Sequence, residues 1–379
     1  MMTRLITIFC GTGMKQTITI KEIAKMAGVS TATVSVALSG KVSASTRISK
    51  QTRDRVVSLA REHNYKPNLA AKGFHQKKTY LIGFFFNDSS SFVMMRLLDE
   101  LRRYCYDHSY DIILYPSSSL EMERRSIESA RSRNLDGVIT IPFASEEGDN
   151  VRYYLQFLSD GIPVVQLIYS ISDEFDFVGR DYYSAGQKAV RILQKHGHRR
   201  LGLVMYDNYL DPKLGCNSYH FYEGARHETE KAGAELQIYP IELPQGPNSF
   251  PGGSEGEKIL KLPAGRQPTA LFSNSNTLLY KISGVFRFAG KLIPEDISFL
   301  GCGEDLELPR SLLPGMSTLG TPFRSLIRAA AAKIIQPDSP EAAGRPEFES
   351  PFYRGSTIAE PVGSSGEKNH KSSSEEIRR

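Results

Sequence analysis

Two kinds of hydrophobic spacing divide the chain. Between Thr19 and Asn64 the apolar positions recur at helical intervals. Ile20, Ile23, Ala24 and Ala27 fall at i, i+3, i+4 and i+7, one face of a helix. Thr19 and Glu22 form a capping box that starts it, and Gly28 stops it because glycine tolerates the positive φ of a helix end. Ser30 caps a second predicted helix, Thr31 to about Ser39, with Val34, Ala37 and Leu38 inward. A third is predicted from Ser49 to about Asn64, with Val56, Leu59 and Ala60 on its apolar side. Two short helices joined by a glycine-containing turn make a helix-turn-helix.

From Tyr80 onward the pattern changes. Apolar runs of strand length alternate with helical stretches, at 81–86, 111–115, 137–141, 162–168, 201–205, 236–241, 269–272 and 297–301. Uninterrupted apolar strands separated by helices indicate parallel sheets covered on both faces. About 280 residues exceed one compact sheet, so two doubly wound lobes with a cleft between them are expected. The Pro- and Gly-rich stretch 240–256 reads as a surface loop. Residues 361–379 are polar and Ser-rich, which predicts disorder, and they carry no leucine heptad that would extend a dimer to a tetramer.

Charge sharpens this division. The net charge of +5 hides an asymmetry: residues 1–78 hold 14 basic and 3 acidic side chains, a net of +11, and the rest hold 33 and 39, a net of −6. A basic head on a mildly acidic body implies a polyanionic partner for the head. Cys10, Cys105, Cys216 and Cys302 lie at no metal-ligand spacing and read as free thiols in a reducing cytoplasm. No apolar run approaches a membrane span. The segment 1–13 has a short apolar run after Arg4, too short for a signal peptide and without a cleavage site, so residues 1–16 are expected to be a disordered extension.

An ordered series of residues adds a resemblance. Ile23-Ala24, Ala27-Gly28-Val29-Ser30, Thr33-Val34-Ser35, Thr52-Arg53, Val56 and Asn64-Tyr65-Lys66-Pro67-Asn68 resemble the DNA-binding head of the lactose-repressor (LacI/GalR) family of bacterial transcription regulators. Later pieces are similar too: Leu135-Asp136-Gly137, Gly161-Ile162-Pro163, His196-Gly197-His198-Arg199, Ile293-Pro294-Glu295-Asp296, Ser317-Thr318-Leu319 and Arg354-Gly355-Ser356-Thr357. The resemblance covers about residues 17–360. It implies an all-α helix-turn-helix head (17–66), a hinge (67–79) and an α/β sensor domain (80–360) of two doubly wound parallel-sheet lobes, the periplasmic-binding-protein type I fold. It implies a cytoplasmic repressor that binds a double-stranded pseudo-palindromic operator as a homodimer, tuned by a small-molecule effector in the cleft, with no cofactor and no membrane partner.

The residues that the resemblance places on DNA are Thr19, Ser30, Thr31, Ala32, Thr33, Ser35, Val36, Arg47, Asn68, Lys72 and Phe74. Ala32 and Val36 stand where relatives usually carry polar and arginine side chains. They have no hydrogen bond to offer a base edge but can touch a thymine methyl. VSASTR (42–47) is nearly repeated by ISKQTR (48–53), which lengthens the loop before the third helix. Arg47 in that loop is either a phosphate contact or a solvated side chain. In the family a hinge residue wedges into the minor groove. The matching Phe74 is either that wedge or part of a plain linker. Gly73 beside it makes a short helix more marginal.

The cleft departs further. The family's sugar-gripping residues map to Ile168, Phe221, Asn276 and Gly303, and Phe92 and Asp181 complete the expected effector set. Loss of several charged groups argues against a typical free-sugar pocket and for a flatter, less hydroxylated ligand. Asp181 has a second reading as a helix cap. A regulator without an effector stays open beside this. A transport-type solute-binding protein fits the body alone and is disfavoured by the head. No G-x-S-x-G, H-E-x-x-H or P-loop supports an enzyme.

Overall fold

A computed structural model describes residues 18–39, 48–65, 78–87, 92–145, 147–211, 216–243, 253–303 and 315–361. The chain divides into two compact units, Met1–Thr79 and Tyr80–Arg379.

In the first unit, α1 (Ile20–Ala27), α2 (Thr31–Ser39) and α3 (Lys50–Glu62) enclose one small core. Ile23, Ala24, Ala27, Val34, Ala37 and Val56 fill it. Each helix start is locally encoded. The Thr19–Glu22 capping box closes in both directions, Ser30 Oγ accepts from the Thr33 amide at 3.1 Å, and Ser49 Oγ accepts from the Thr52 amide at 3.1 Å. Gly28 sits at φ +63, the left-handed turn that lets α2 fold back on α1. Arg55 of α3 ties to the Ala27 carbonyl at that same turn.

The second unit holds two six-stranded sheets, one per lobe. Lobe 1 has the order β13-β7-β6-β3-β1-β2, with β1 (Leu81–Asn87), β2 (Asp111–Ser117), β3 (Gly137–Thr140), β6 (Val164–Leu167), β7 (Asp176–Arg180) and β13 (Glu347–Phe348), all parallel. A two-stranded hairpin, β4 (Ala144–Ser145) and β5 (Gly148–Asp149), follows β3. Helices α4 (Phe92–Asp107) and α11 (Phe323–Ile335) cover one face of the sheet, and α5 (Leu120–Arg131) and α6 (Val151–Ser159) cover the other.

Lobe 2 has the order β14-β12-β11-β10-β8-β9, with β8 (Arg200–Tyr206), β9 (Glu235–Ile241), β10 (Ala270–Ser273), β11 (Ser298–Gly303), β12 (Ser317–Gly320) and β14 (Phe352–Tyr353). Only β14 runs antiparallel, against β12. Here α7 (Tyr182–Lys195) and α8 (Cys216–Lys231) cover one face, and α9 (Gly253–Lys261) and α10 (Asn276–Phe288) the other. Burial of the sheets on both faces explains why the inner strands are continuous apolar runs.

The expected surface loop at 240–256 is narrower than the sequence suggests. β9 continues through Pro240 to Ile241, and α9 already begins at Gly253. β9 is an edge strand, where a proline lacking its N–H is tolerated. In α9, Glu255 lies in the first turn and Ile259 is buried.

Candidate functional site

On the head, α2 exposes Thr31, Ala32 and Ser35 to solvent, with Thr33 and Val36 half-buried. Thr31 with Ser35 and Ala32 with Val36 are i,i+4 pairs, so they form adjacent rows of one helix face. Val34 and Ala37 point the other way, into the core. The first turn of α2 is held by Ser30, whose hydroxyl is also 2.9 Å from Thr33 Oγ1. Thr19 donates its amide to Glu22 at 2.7 Å and its hydroxyl at 2.8 Å, and these bonds, the amide's first, hold the Glu22 carboxyl below its ordinary range. Arg47, Asn68, Lys72 and Phe74 lie outside the described residues.

In the body, the carboxyl ends of the strands carry the expected effector residues. Ile168 follows β6 with φ +71, an uncommon value for a β-branched residue. The Tyr169 amide donates to the Leu167 carbonyl at 2.8 Å, which closes a three-residue γ-turn around Ile168. Gln166, fully buried, holds the rest of this loop. Its Oε1 accepts from the Ile171 amide at 2.6 Å and from the Ser172 amide at 3.2 Å, and its Nε2 donates to the Ser172 carbonyl at 2.7 Å. From outside, Arg345 adds a 3.1 Å ion pair to Asp173.

On lobe 2, Asn276 opens α10 and lies buried across the end of β11. A β-carbon on Gly301 would stand 1.9 Å from Asn276 Oδ1, and one on Gly303 2.6 Å from its Cγ. The two glycines therefore make room for the amide. Thr318 Oγ1 donates to Asn276 Oδ1 at 3.1 Å, while the buried Nδ2 has no partner among the described residues. Such a buried orphan donor is costly unless something else accepts from it. Beside it, Asn274 Nδ2 donates to Ser218 Oγ at 2.9 Å.

Two expected effector residues sit differently. Phe221 is fully buried in the lobe 2 core, its ring 6.1 Å from that of Phe272, so it offers no open surface to a ligand. Position along α8 was readable from sequence, but not which face of the helix turns inward. Asp181 caps α7, with Oδ1 accepting from the Ser184 amide at 2.8 Å. Nearby Glu347 has its carboxyl pushed above the usual range, first by burial and then by the charge of Asp181. Phe92 opens α4, and its side chain lies outside the described residues.

Sequence reasoning missed three buried polar groups: Gln166, Glu123 and Arg180. Glu123 accepts from the Phe143 amide (3.1 Å), Asn150 Nδ2 (2.7 Å) and Tyr154 OH (2.9 Å), which anchors the segment after β3. Burial raises its carboxyl above the ordinary range. Arg180 ends β7 and is 4% exposed. A charged residue closing an apolar strand just before a helix cap is the only signal the sequence offers for it.

The pattern described as "Bacterial regulatory proteins, lacI family" matches residues 19–68, and that described as "Periplasmic binding protein-like domain" matches residues 190–357. The first match falls on the helical head and the second on the body, so each unit is similar to its counterpart in lacI-type regulators. The chain is similar to the ribose operon repressor of Haemophilus influenzae, 25% identical over 320 residues, spanning 84% of this chain and 91% of that protein. The transcriptional repressor PurR of Vibrio vulnificus is 26% identical over 325 residues, spanning 84% and 91%. Among solved structures, the lac repressor dimer bound to operator and the anti-inducer ONPF superposes with a TM-score of 0.68 at 18% identity, over 91% of this chain and all of that one. A LacI-family regulator from Enterococcus faecium with bound ribose gives 0.60 at 20% identity, over 74% and 99%. The lacI-family fold of helical head and two parallel-sheet lobes is thus shared. Among the described residues, no helix is long and apolar enough to cross a membrane.

Proposed function

We propose that the chain is a DNA-binding transcription repressor that acts in the cytoplasm as a homodimer on a pseudo-palindromic operator, with a small molecule in the inter-lobe cleft tuning its affinity. The observation that carries this reading is the solvent-facing row Thr31, Ala32, Ser35 on the second helix of a capped helix-turn-helix. The net +11 of residues 1–78 supports phosphate contact around that row. Residues 17–66 form the head in this reading, 67–79 the hinge and 80–360 the effector-binding and dimerisation domain. Thr19 and Ser30 serve DNA through the helix starts they fix.

For the effector, the unpartnered Asn276 Nδ2 supports a ligand that brings a hydrogen-bond acceptor to lobe 2. Ile168 is itself buried in the lobe 1 core, and the exposed Tyr169 beside it supplies an aromatic surface on lobe 1. A planar ligand with few hydroxyls fits such a lining better than a free sugar. Burial of Phe221 favours a second reading, a regulator that works without an effector.

Selection of operators from a random duplex library by the full chain tests the proposal. Enrichment of a two-fold symmetric sequence is expected. Retention of duplexes without sequence preference would overturn it. Calorimetric titration of the same protein with a purine and pentose panel separates the two effector readings.

A further inference from the structure

Three short segments carry the chain between the lobes. Residues 180–182 lead from β7 to α7, residues 320–323 from β12 to α11, and residues 348–352 from β13 to β14. Arg180 lies on the first of these and reaches the other two. Its Nε donates to Ser350 Oγ at 2.6 Å on the third crossing, and Nη1 donates to Thr321 Oγ1 at 3.3 Å on the second. Nη2 turns to the strand ends of lobe 2, 2.7 Å from Cys302 Sγ and 3.3 Å from the Leu319 carbonyl. The Tyr182 ring lies 4.9 Å from the guanidinium carbon.

Backbone bonds join the same segments. The Asp181 amide donates to the Phe348 carbonyl at 3.0 Å, and the Gly320 amide donates to the Pro351 carbonyl at 2.8 Å. Lys188 Nζ adds a 2.7 Å bond to the Ser350 carbonyl. A buried guanidinium is tolerated only while its donors are met, and its rigid fork sets where the acceptors must stand. Independent flexing of any one crossing would pull an acceptor away from that fork. A hinge motion concentrates its backbone rotation in just such connecting residues.

We infer that Arg180 is a positioning residue that locks the three crossings into one hinge, so that the lobes open and close as a concerted step. The inference does not depend on which effector the cleft takes, or on whether it takes one.

Hydrogen exchange followed amide by amide in the full chain tests this. In Arg180→Met, the amides of Asp181 and Gly320 are expected to exchange at least tenfold faster, while Phe84 in β1 and Leu203 in β8 keep their rates. The Gly320 amide is decisive, because a merely local role for Arg180 would speed Asp181 alone. Acceleration of Asp181 without Gly320, or of neither, overturns the inference. Arg180→Lys keeps the charge but not the fork, and is expected to speed both amides at least threefold. Should neither Arg180 variant fold, Thr321→Val and Ser350→Ala decide the matter. Combined, they are expected to speed both amides by more than the product of their separate effects. A simple product overturns the inference.

Discussion

Gly186 of α7 and Gly224 of α8 stand in reciprocal contact with the opposite helix. A β-carbon on Gly186 would lie 2.1 Å from the Phe221 carbonyl oxygen, and one on Gly224 would lie 2.0 Å from that of Tyr183. Both obstacles are backbone, which cannot rotate aside. The two helices therefore touch main chain to main chain, and this contact turns the Phe221 ring into the core. Gly186→Ala or Gly224→Ala should destabilise the body by about 2 kcal/mol or more, within the usual cost of overpacking. Urea unfolding measures this. A change below about 0.5 kcal/mol, the scale of ordinary surface substitutions, would mean that the helices separate freely.

The relation of Asn276 to Gly301 and Gly303 leads to a second expectation. Gly303→Ala should displace the Asn276 amide, because no space remains for both. Any ligand that raises the melting temperature of the wild-type chain should then lose that effect. Asn276→Ala should lose it too, and should lower stability by about 1–3 kcal/mol, since it strips the buried Thr318 hydroxyl of its acceptor. Thermal-shift measurements on both variants against the same panel check this. D-ribose and D-glucose at millimolar concentration should leave the wild-type melting temperature unchanged.

His198 carries a pH dependence of predictable sign. It is 1% exposed, with Nδ1 3.0 Å from Thr269 Oγ1, and burial lowers its pKa from 6.5 to about 4. The folded state therefore favours the neutral ring. Above the unfolded value near 6.5 the contribution is fully present. It falls as pH drops from there toward 4, because the unfolded chain takes up the proton first. The slope is on the order of 1.4 kcal/mol per pH unit within that window. Chemical unfolding at about pH 7.0, above the window, and about pH 5.0, within it, should show a smaller loss for His198→Asn than for the wild type. Equal losses would show that the ring takes up its proton inside the fold.

Base reading by the head should be shaped by Val36. A bidentate arginine contact to guanine is worth roughly 1–3 kcal/mol, and valine can make none. Val36→Arg should shift the selected half-site toward guanine at one position. The salt dependence of affinity should stay steep for both proteins, with a log–log slope beyond about −5, as expected from release of counterions at several phosphates. Unchanged base preference would place Val36 away from the groove.

The parts of the fold that the sequence makes legible are those whose burial is self-contained. Strands such as Leu81–Asn87 and Arg200–Tyr206 are covered on both faces and read as apolar runs, and the capped helices of the head announce themselves through Thr19, Ser30 and Ser49. β7 (DFVGR) and β12 (STLG) are short and partly polar, and they become strands only because neighbouring strands pair with them. Arg180 is the extreme case. Its partners Cys302, Thr321 and Ser350 are remote in sequence, so no local pattern marks it as buried. The strained turn at Ile168 is hidden in the same way, because Gln166 beneath it reads as one polar residue in an apolar run.

The interleaving of the lobes also sets an order on synthesis. Lobe 1 begins with β1 but lacks α11, whose Leu326, Ile327, Ala330 and Ile334 belong to its core. The ribosome makes most of lobe 2, from Tyr182 to Gly320, before it makes that helix. The lobe begun first is thus completed only after most of the other, and the face of its sheet that α4 covers in part stays unfinished while more than a hundred residues emerge, about the size of a small domain. A nascent chain stalled before Phe323 would carry that face into solution, where exposed strands and apolar surface promote aggregation.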